Sequence, residues 1–190
     1  VYQFKITLKD IRPAIWRRIL IGETCTFWDL HCVIQDAMGW YDSHLHEFTV
    51  MDYESDEEVL IGIPDDSGFG DADVLPGWKE KVKNYVAEGV YFSYVYDFGD
   101  YWEHEVELER ILPGDSADLV PKCIDGRRNC PPEDCGGIPG YEDLLEAMAD
   151  PEHPEYESAL EWLDESFDPE AFNPERVFFS NPKERLKNGY

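Results

Sequence analysis

Apolar and polar residues alternate from the start of the chain. Tyr2, Phe4, Ile6 and Leu8 interleave with Gln3, Lys5, Thr7 and Lys9, the period-two pattern of a half-buried strand. Asp10 to Pro13 breaks the run and Ala14 to Ile21 reads as a second strand, which predicts a hairpin. The period then lengthens. Phe27, Leu30, Ile34, Ala37 and Met38 share one face of a helix, Thr26 and Asp29 have the spacing of a capping box, and Gly39 ends it.

His44 to Met51 predicts a further strand, Val59 to Ile63 an edge strand, and Trp78 to Val86 a short helix. Between them, Glu54 to Pro76 is rich in Asp, Glu and Gly and reads as a variable insertion. Val90 to Tyr96 is an aromatic-rich strand. After it the alternation is clean: Trp102, His104, Val106 and Leu108 face one way, Glu103, Glu105, Glu107 and Glu109 the other. The linking DFGDY predicts a β-hairpin, with Gly99 expected to supply a positive φ.

Beyond Pro113 the chain is rich in Pro, Gly and Cys as far as Gly140. Helices are predicted at Tyr141 to Met148 and Pro154 to Leu163, with another start at Asp168–Pro169, because proline suits the first helical turn. The expected class is α+β: a mixed or antiparallel sheet with a packed helix, opening ββα in the manner of a β-grasp arrangement. One domain over 1–190 is expected, with a sheet-plus-helix core (1–112), a Cys/Pro/Gly loop (113–140) and a helical C-terminal appendage (141–190).

Charge narrows the function. Asp and Glu number 42 against 16 Lys and Arg, a formal charge of -26, while hydrophobic residues still make up 43%. Such a surface repels phosphate backbones and disfavours direct nucleic-acid binding. Arg17–Arg18 and Arg127–Arg128 are the only adjacent basic pairs. The acidity suits solubility in a salt-rich cell, docking onto a basic protein partner, or holding cations. No apolar run of about 18 residues predicts a membrane span. Five cysteines and no export-type leader point to reduced thiols and a cytoplasmic setting.

Two clusters could carry metal chemistry. If His44 and His46 lie on one strand, their side chains share a face and could reach one ion. His104, with Asp97 and Asp100 on the hairpin loop, would complete a site for zinc or another first-row metal, with an open position for hydrolysis. The structural alternative is a core His104 and two turn-forming aspartates. The second cluster is Cys123, Cys130 and Cys135, whose thiolates could hold a structural zinc with His153, Asp134 or water as fourth ligand. Its alternative is small buried residues, or thiols that pair only on oxidation. Arg17 is expected to be buried against a carboxylate, or to bind an anion beside Trp16 and Trp40. Trp16, Trp40, Tyr96 and Trp102 with Arg17 form a candidate binding groove. A Gly-rich phosphate loop, a GxSxG elbow and a helical HExxH are all missing.

IRPAIWRRILI, DLHCVIQDAMGWYDSHLHEF, YDFGDYWEHEVELE and CIDGRRNCPPEDCGGIPGY, in this order, resemble the plasmid pRiA4b Orf-3-like family. The resemblance runs from about Tyr2 to about Phe172. It implies no established activity. Members are also labelled passenger proteins of insertion elements, some with a resolvase-like name, but the clustered Arg residues and basic segment of a recombinase are absent here. The resemblance raises His44, His46, Asp97, Gly99, Asp100, Trp102, His104, Cys130, Pro131, Pro132, Glu133, Asp134, Gly136 and Gly137 above their neighbours. Two functional classes follow: a non-enzymatic protein-binding module associated with mobile elements, and a metal-dependent hydrolase using the His/Asp cluster.

Overall fold

The computed structural model describes residues 1–53, 55–64, 73–113, 121–163 and 167–189. Much of the acidic insertion therefore lies outside the described residues. The chain runs β1 (Tyr2–Leu8), β2 (Trp16–Ile21), α1 (Phe27–Met38), β3 (His46–Asp52), β4 (Glu57–Gly62), β5 (Leu75–Pro76), β6 (Tyr91–Tyr96), β7 (Trp102–Ile111), β8 (Lys122–Arg127), α2 (Gly137–Ala149), α3 (Tyr156–Trp162) and α4 (Pro182–Gly189), with single 3-10 turns at Val82–Asn84 and Pro174–Arg176. The class is α+β.

The strands form one sheet in the order β5-β4-β3-β6-β7-β1-β2-β8, antiparallel except for the β4–β5 pair. Alternation sets its two faces. Ile6 pairs with Arg17 on one side and Val106 on the other, and Phe48 pairs with Tyr94, which pairs with His104, so these side chains share the inner face. Helix α1 lies on that face. Thr26 Oγ1 accepts from the Asp29 backbone N–H while the Asp29 carboxylate accepts from that of Thr26, and Gly39 closes the helix at φ 90°.

Several boundaries differ from the expectation. His44 precedes its strand. The segment from Trp78 to Val86 forms turns and one 3-10 turn instead of a helix, and residues 122–127 of the expected loop pair with β2 as an edge strand. Asp168–Pro169 begins no helix; the Asp168 carboxylate instead caps the Glu170 backbone N–H.

Arg17 joins the layers. It is buried on the inner face, and among the described residues it has no carboxylate partner, contrary to expectation. Its Nε donates to Ala37 O (2.8 Å), and its Nη1 donates to Trp16 O (2.9 Å) and Arg127 O (3.1 Å). The guanidinium also lies 3.7 Å from the centre of the Phe172 ring. Ala37 is in the last turn of α1, where unsatisfied carbonyls carry partial negative charge that a cation offsets. Arg17→Met is expected to strip three backbone carbonyls, one of them buried, of their donor and cost on the order of 3 kcal/mol. The measurement is the urea midpoint, and an unchanged midpoint would contradict this role for Arg17.

Candidate metal centre

Three loops meet at one edge of the molecule. The first, residues 39–45, leaves α1 through Gly39 and carries Asp42 and His44. The second is the β6–β7 turn with Asp97 and Asp100, and the third, residues 129–136, carries Glu133 and Asp134. Hydrogen bonds lock them together. Trp40 Nε1 donates to Pro131 O (2.9 Å), the Tyr41 backbone N–H to Glu133 Oε1 (2.7 Å), and the Gly136 N–H to Asp100 Oδ2 (3.1 Å). Gly137 has φ +68°, and a Cβ there would fall 2.6 Å from Asp100 O, so only glycine lets the third loop lie on the hairpin.

His44 stands at the junction. Its Nε2 lies 2.9 Å from Asp134 Oδ1, 3.6 Å from Asp97 Oδ2 and 3.7 Å from Glu133 Oε2. His44 is 30% exposed, whereas the Asp97 and Glu133 side chains are about 10% exposed. Tyr96 O–H donates to both Glu133 oxygens (3.0 and 3.1 Å) and accepts from the Ser43 N–H (2.9 Å). Burial and the Glu133 charge raise the Tyr96 pKa, which keeps the phenol protonated as that donor. Asp97 does two jobs. Its Oδ1 accepts from the Gly99 N–H (2.9 Å) to shape the turn, and its Oδ2 faces His44. Asp97 and Tyr101 take the left-handed conformation there, at φ 57° and 56°; Gly99 does not, contrary to expectation.

Among the described residues, two groups bring three metal-ligating atoms within 4.8 Å of one another: His44 with Asp97 and Asp134, and His31 with Asp42 and His46. The five residues His44, His46, His104, Asp97 and Asp100 thus do not share one centre. Because β3 starts at His46, its imidazole points inward while His44 points toward the carboxylates. His104 is buried against Trp40 and Tyr94, with ring centres at 5.4 and 5.3 Å, and Asp100 serves the backbone of the third loop.

Neither group contains a cysteine. Cys123 Sγ bonds Asp125 O, Cys130 Sγ lies 3.7 Å from Met38 Sδ, and Cys135 Sγ contacts Gly137 O. Burial pushes the Cys130 and Cys135 thiols up to about 12, which keeps both protonated in the metal-free protein. His153 caps the Glu155 N–H. The five groove candidates do not share one surface: Tyr96 and Trp102 are core residues, Trp16 is half-buried and Arg17 is enclosed. Trp40, though buried, lines an open cleft of about 580 Å³ with Tyr41, Glu133, Asp134, Trp162 and Phe167.

The segments that meet here are those with distinctive sequence: HLHEF, YDFGDYWEH and CPPEDCGG. A model of the plasmid pRiA4b ORF-3-like protein family matches residues 1–176. The chain belongs to this family. It is 38% identical over 176 residues to the uncharacterized protein y4hQ of Sinorhizobium fredii (strain NBRC 101917 / NGR234), covering 91% of this chain and 86% of that protein. The fold is similar to the crystal structure of a protein of unknown function, MM3350 from Methanosarcina mazei Go1, with a TM-score of 0.86 and 42% identity over 94% of this chain and 97% of that one. The matched residues include both candidate groups.

His31, on α1, and Asp42 were not legible as site residues. One signal was available: His31 falls four residues after Phe27 on the apolar stripe, where a polar ring needs a reason.

Burial lowers the His104 pKa from its ordinary value of 6.5 to about 4, so the native ring is neutral. Below about pH 6.5 the unfolded chain takes up a proton that the native state refuses, so this stability is lost as pH falls toward 4. The loss should amount to about 1.4 kcal/mol per pH unit. Ring-proton NMR is expected to show His104 neutral until about that point, and His104→Phe should flatten the acid limb of the unfolding midpoint. A His104 resonance titrating at its ordinary value would contradict the assignment.

Proposed function

We propose that this protein holds a divalent first-row cation between His44, Asp97 and Asp134 and acts as a metal-dependent hydrolase on a substrate seated in the adjoining cleft. The observation that carries this reading is the approach of three carboxylates to one imidazole nitrogen at 2.9, 3.6 and 3.7 Å. Gathering that much like charge is unfavourable unless a cation offsets it. One imidazole and two carboxylate oxygens suit Zn²⁺ or Mn²⁺. A cation there supplies Lewis acidity and acidifies water. The chain supplies the rest. Tyr96 and the Tyr41 N–H orient Glu133, whose carboxylate faces His44 as a proton acceptor, and Trp162 and Phe167 offer an apolar wall to the cleft.

A second reading, an acidic protein-binding module, is favoured by the surface. The formal charge is -26, and Tyr41 (84%), Phe178 (86%) and Trp162 (51%) are exposed. Three of the four residues in the adjacent basic pairs are internally engaged, while Arg127 is exposed. Arg17 bonds carbonyls, Arg18 pairs with Glu109 and Asp125, and Arg128 pairs with Glu170 and donates to Pro13 O. Those pairings support a basic protein partner over a nucleic acid, in keeping with the mobile-element labels of the family. All five cysteines are free, which supports placement in the cytoplasm; among the described residues no helix is long and apolar enough to cross a membrane. This module would release its partner as salt is raised.

Tag-free protein loaded with Zn²⁺ or Mn²⁺ is expected to retain an equivalent of metal that His44→Ala and Asp97→Asn shed. Loaded protein should hydrolyse a chromogenic ester or phosphate, and chelation should abolish that turnover. Full metal retention by both variants would overturn the centre. Loaded protein that turns nothing over while binding a basic partner in a salt-sensitive way favours the module.

A further inference from the structure

A second constellation lies behind the first, in the core between α1 and the sheet. His31 is fully buried, His46 is 2% exposed, and the Asp42 side chain is 4% exposed. The two imidazoles lie face to face, with ring centres 3.5 Å apart and planes 9° apart. His31 Nε2 is 2.8 Å from Asp42 Oδ1, and His31 Nδ1 is 2.9 Å from the Tyr94 hydroxyl, which also accepts from Gln35 Nε2 (2.9 Å). His46 is the anomaly. Both of its ring nitrogens are buried, and among the described residues neither has a hydrogen-bond partner. An imidazole enclosed this way forfeits roughly 1–3 kcal/mol for each unsatisfied polar atom.

We propose that His31, His46 and Asp42 form a closed binding site for a transition-metal cation, Zn²⁺ being the best fit, separate from the His44 centre and independent of the hydrolase reading. The ligand atoms of all three lie within 4.8 Å of one another, and a cation there gives the unpartnered His46 nitrogen a bond. The 2.8 Å between His31 Nε2 and Asp42 Oδ1 is a hydrogen-bond separation, and a tetrahedral ion with bonds of about 2.0–2.1 Å would open it to roughly 3.4 Å. Two imidazoles and one carboxylate are a common zinc donor set, and burial favours the neutral form of both rings, as ligation requires.

The surroundings are built to orient these ligands. Tyr94 holds Nδ1 of His31 and leaves Nε2 directed at Asp42. Arg185, from α4, donates through Nη2 to Asp36 Oδ1 (2.6 Å) and brings Nη1 to 3.5 Å from Asp42 Oδ2. Trp28 Nε1 donates to Pro182 O (2.8 Å) and the Ser180 N–H to Asp36 Oδ2 (2.8 Å), so the C-terminal segment is clamped over the site. A cation held here would tie α1, the 39–45 loop, β3 and α4 together and would exchange slowly.

Co²⁺ titration of chelator-stripped, tag-free full-length protein tests this, read by visible absorption and by competition with a chromophoric chelator. Wild type is expected to bind two equivalents. His46→Phe, which keeps a flat apolar ring in the stack, should lose the slowly exchanging one while His44→Ala retains it. Asp42→Asn should weaken that equivalent at least about tenfold and serves if His46→Phe does not fold. Arg185→Ala should keep the site and speed its exchange. Cobalt binding that is unaltered in His46→Phe, or in Asp42→Asn where that is the folded variant, would overturn the buried site and leave the His44 centre standing. Binding that depends on His46 alone would do the reverse.

Discussion

Arg17 is a buried cation with no counter-ion among the described residues, and the cost of enclosing it is met by backbone. Its guanidinium takes carbonyls from β2, from β8 and from the last turn of α1, and it stacks on Phe172 from the C-terminal segment. The planar fork of arginine can serve several acceptors at fixed angles, which an ammonium cannot. What it fixes is the end of α1. From that point Gly39 turns the chain back, Trp40 pins the Pro131 carbonyl, and Tyr41 meets Glu133, so the position of the proposed metal centre descends from one buried side chain.

The same loop then contributes to two candidate sites of different character. Asp42 and His46 turn into the core, where burial disfavours charge on an imidazole. His44 turns outward between carboxylates at the rim of the cleft. The start of β3 at His46 is what separates the two histidines of HLHEF. Had the strand begun two residues earlier, both would have faced the core and the outer centre would have lacked its imidazole.

The sequence carried the sheet and its helix well, because alternation and capping are local. The inward face of β7, from Trp102 to Leu108, and the capping box at Thr26 are where periodicity put them. The tertiary partners of polar side chains were harder to read. His44 and His46 are two residues apart, which argues for a shared face only if both lie in the strand. Cys123, Cys130 and Cys135 look like ligands from composition, yet among the described residues no cysteine belongs to a group of three close ligand atoms. Arg17 called for a carboxylate and found carbonyls. Asp97 and Asp134 belong to loops 37 residues apart in the chain, and their meeting depends on Gly137 letting the third loop lie against Asp100.

Three loops joined by a shared cation would hold that ion at their junction. The most direct measurement is a crystal structure of the zinc-loaded protein with anomalous data at the zinc edge. A peak within bonding distance of His44 Nε2, Asp97 Oδ2 and Asp134 Oδ1 is the expected result. Zinc absent from that junction, with the three side chains well ordered and the protein demonstrably exposed to the metal, would contradict it.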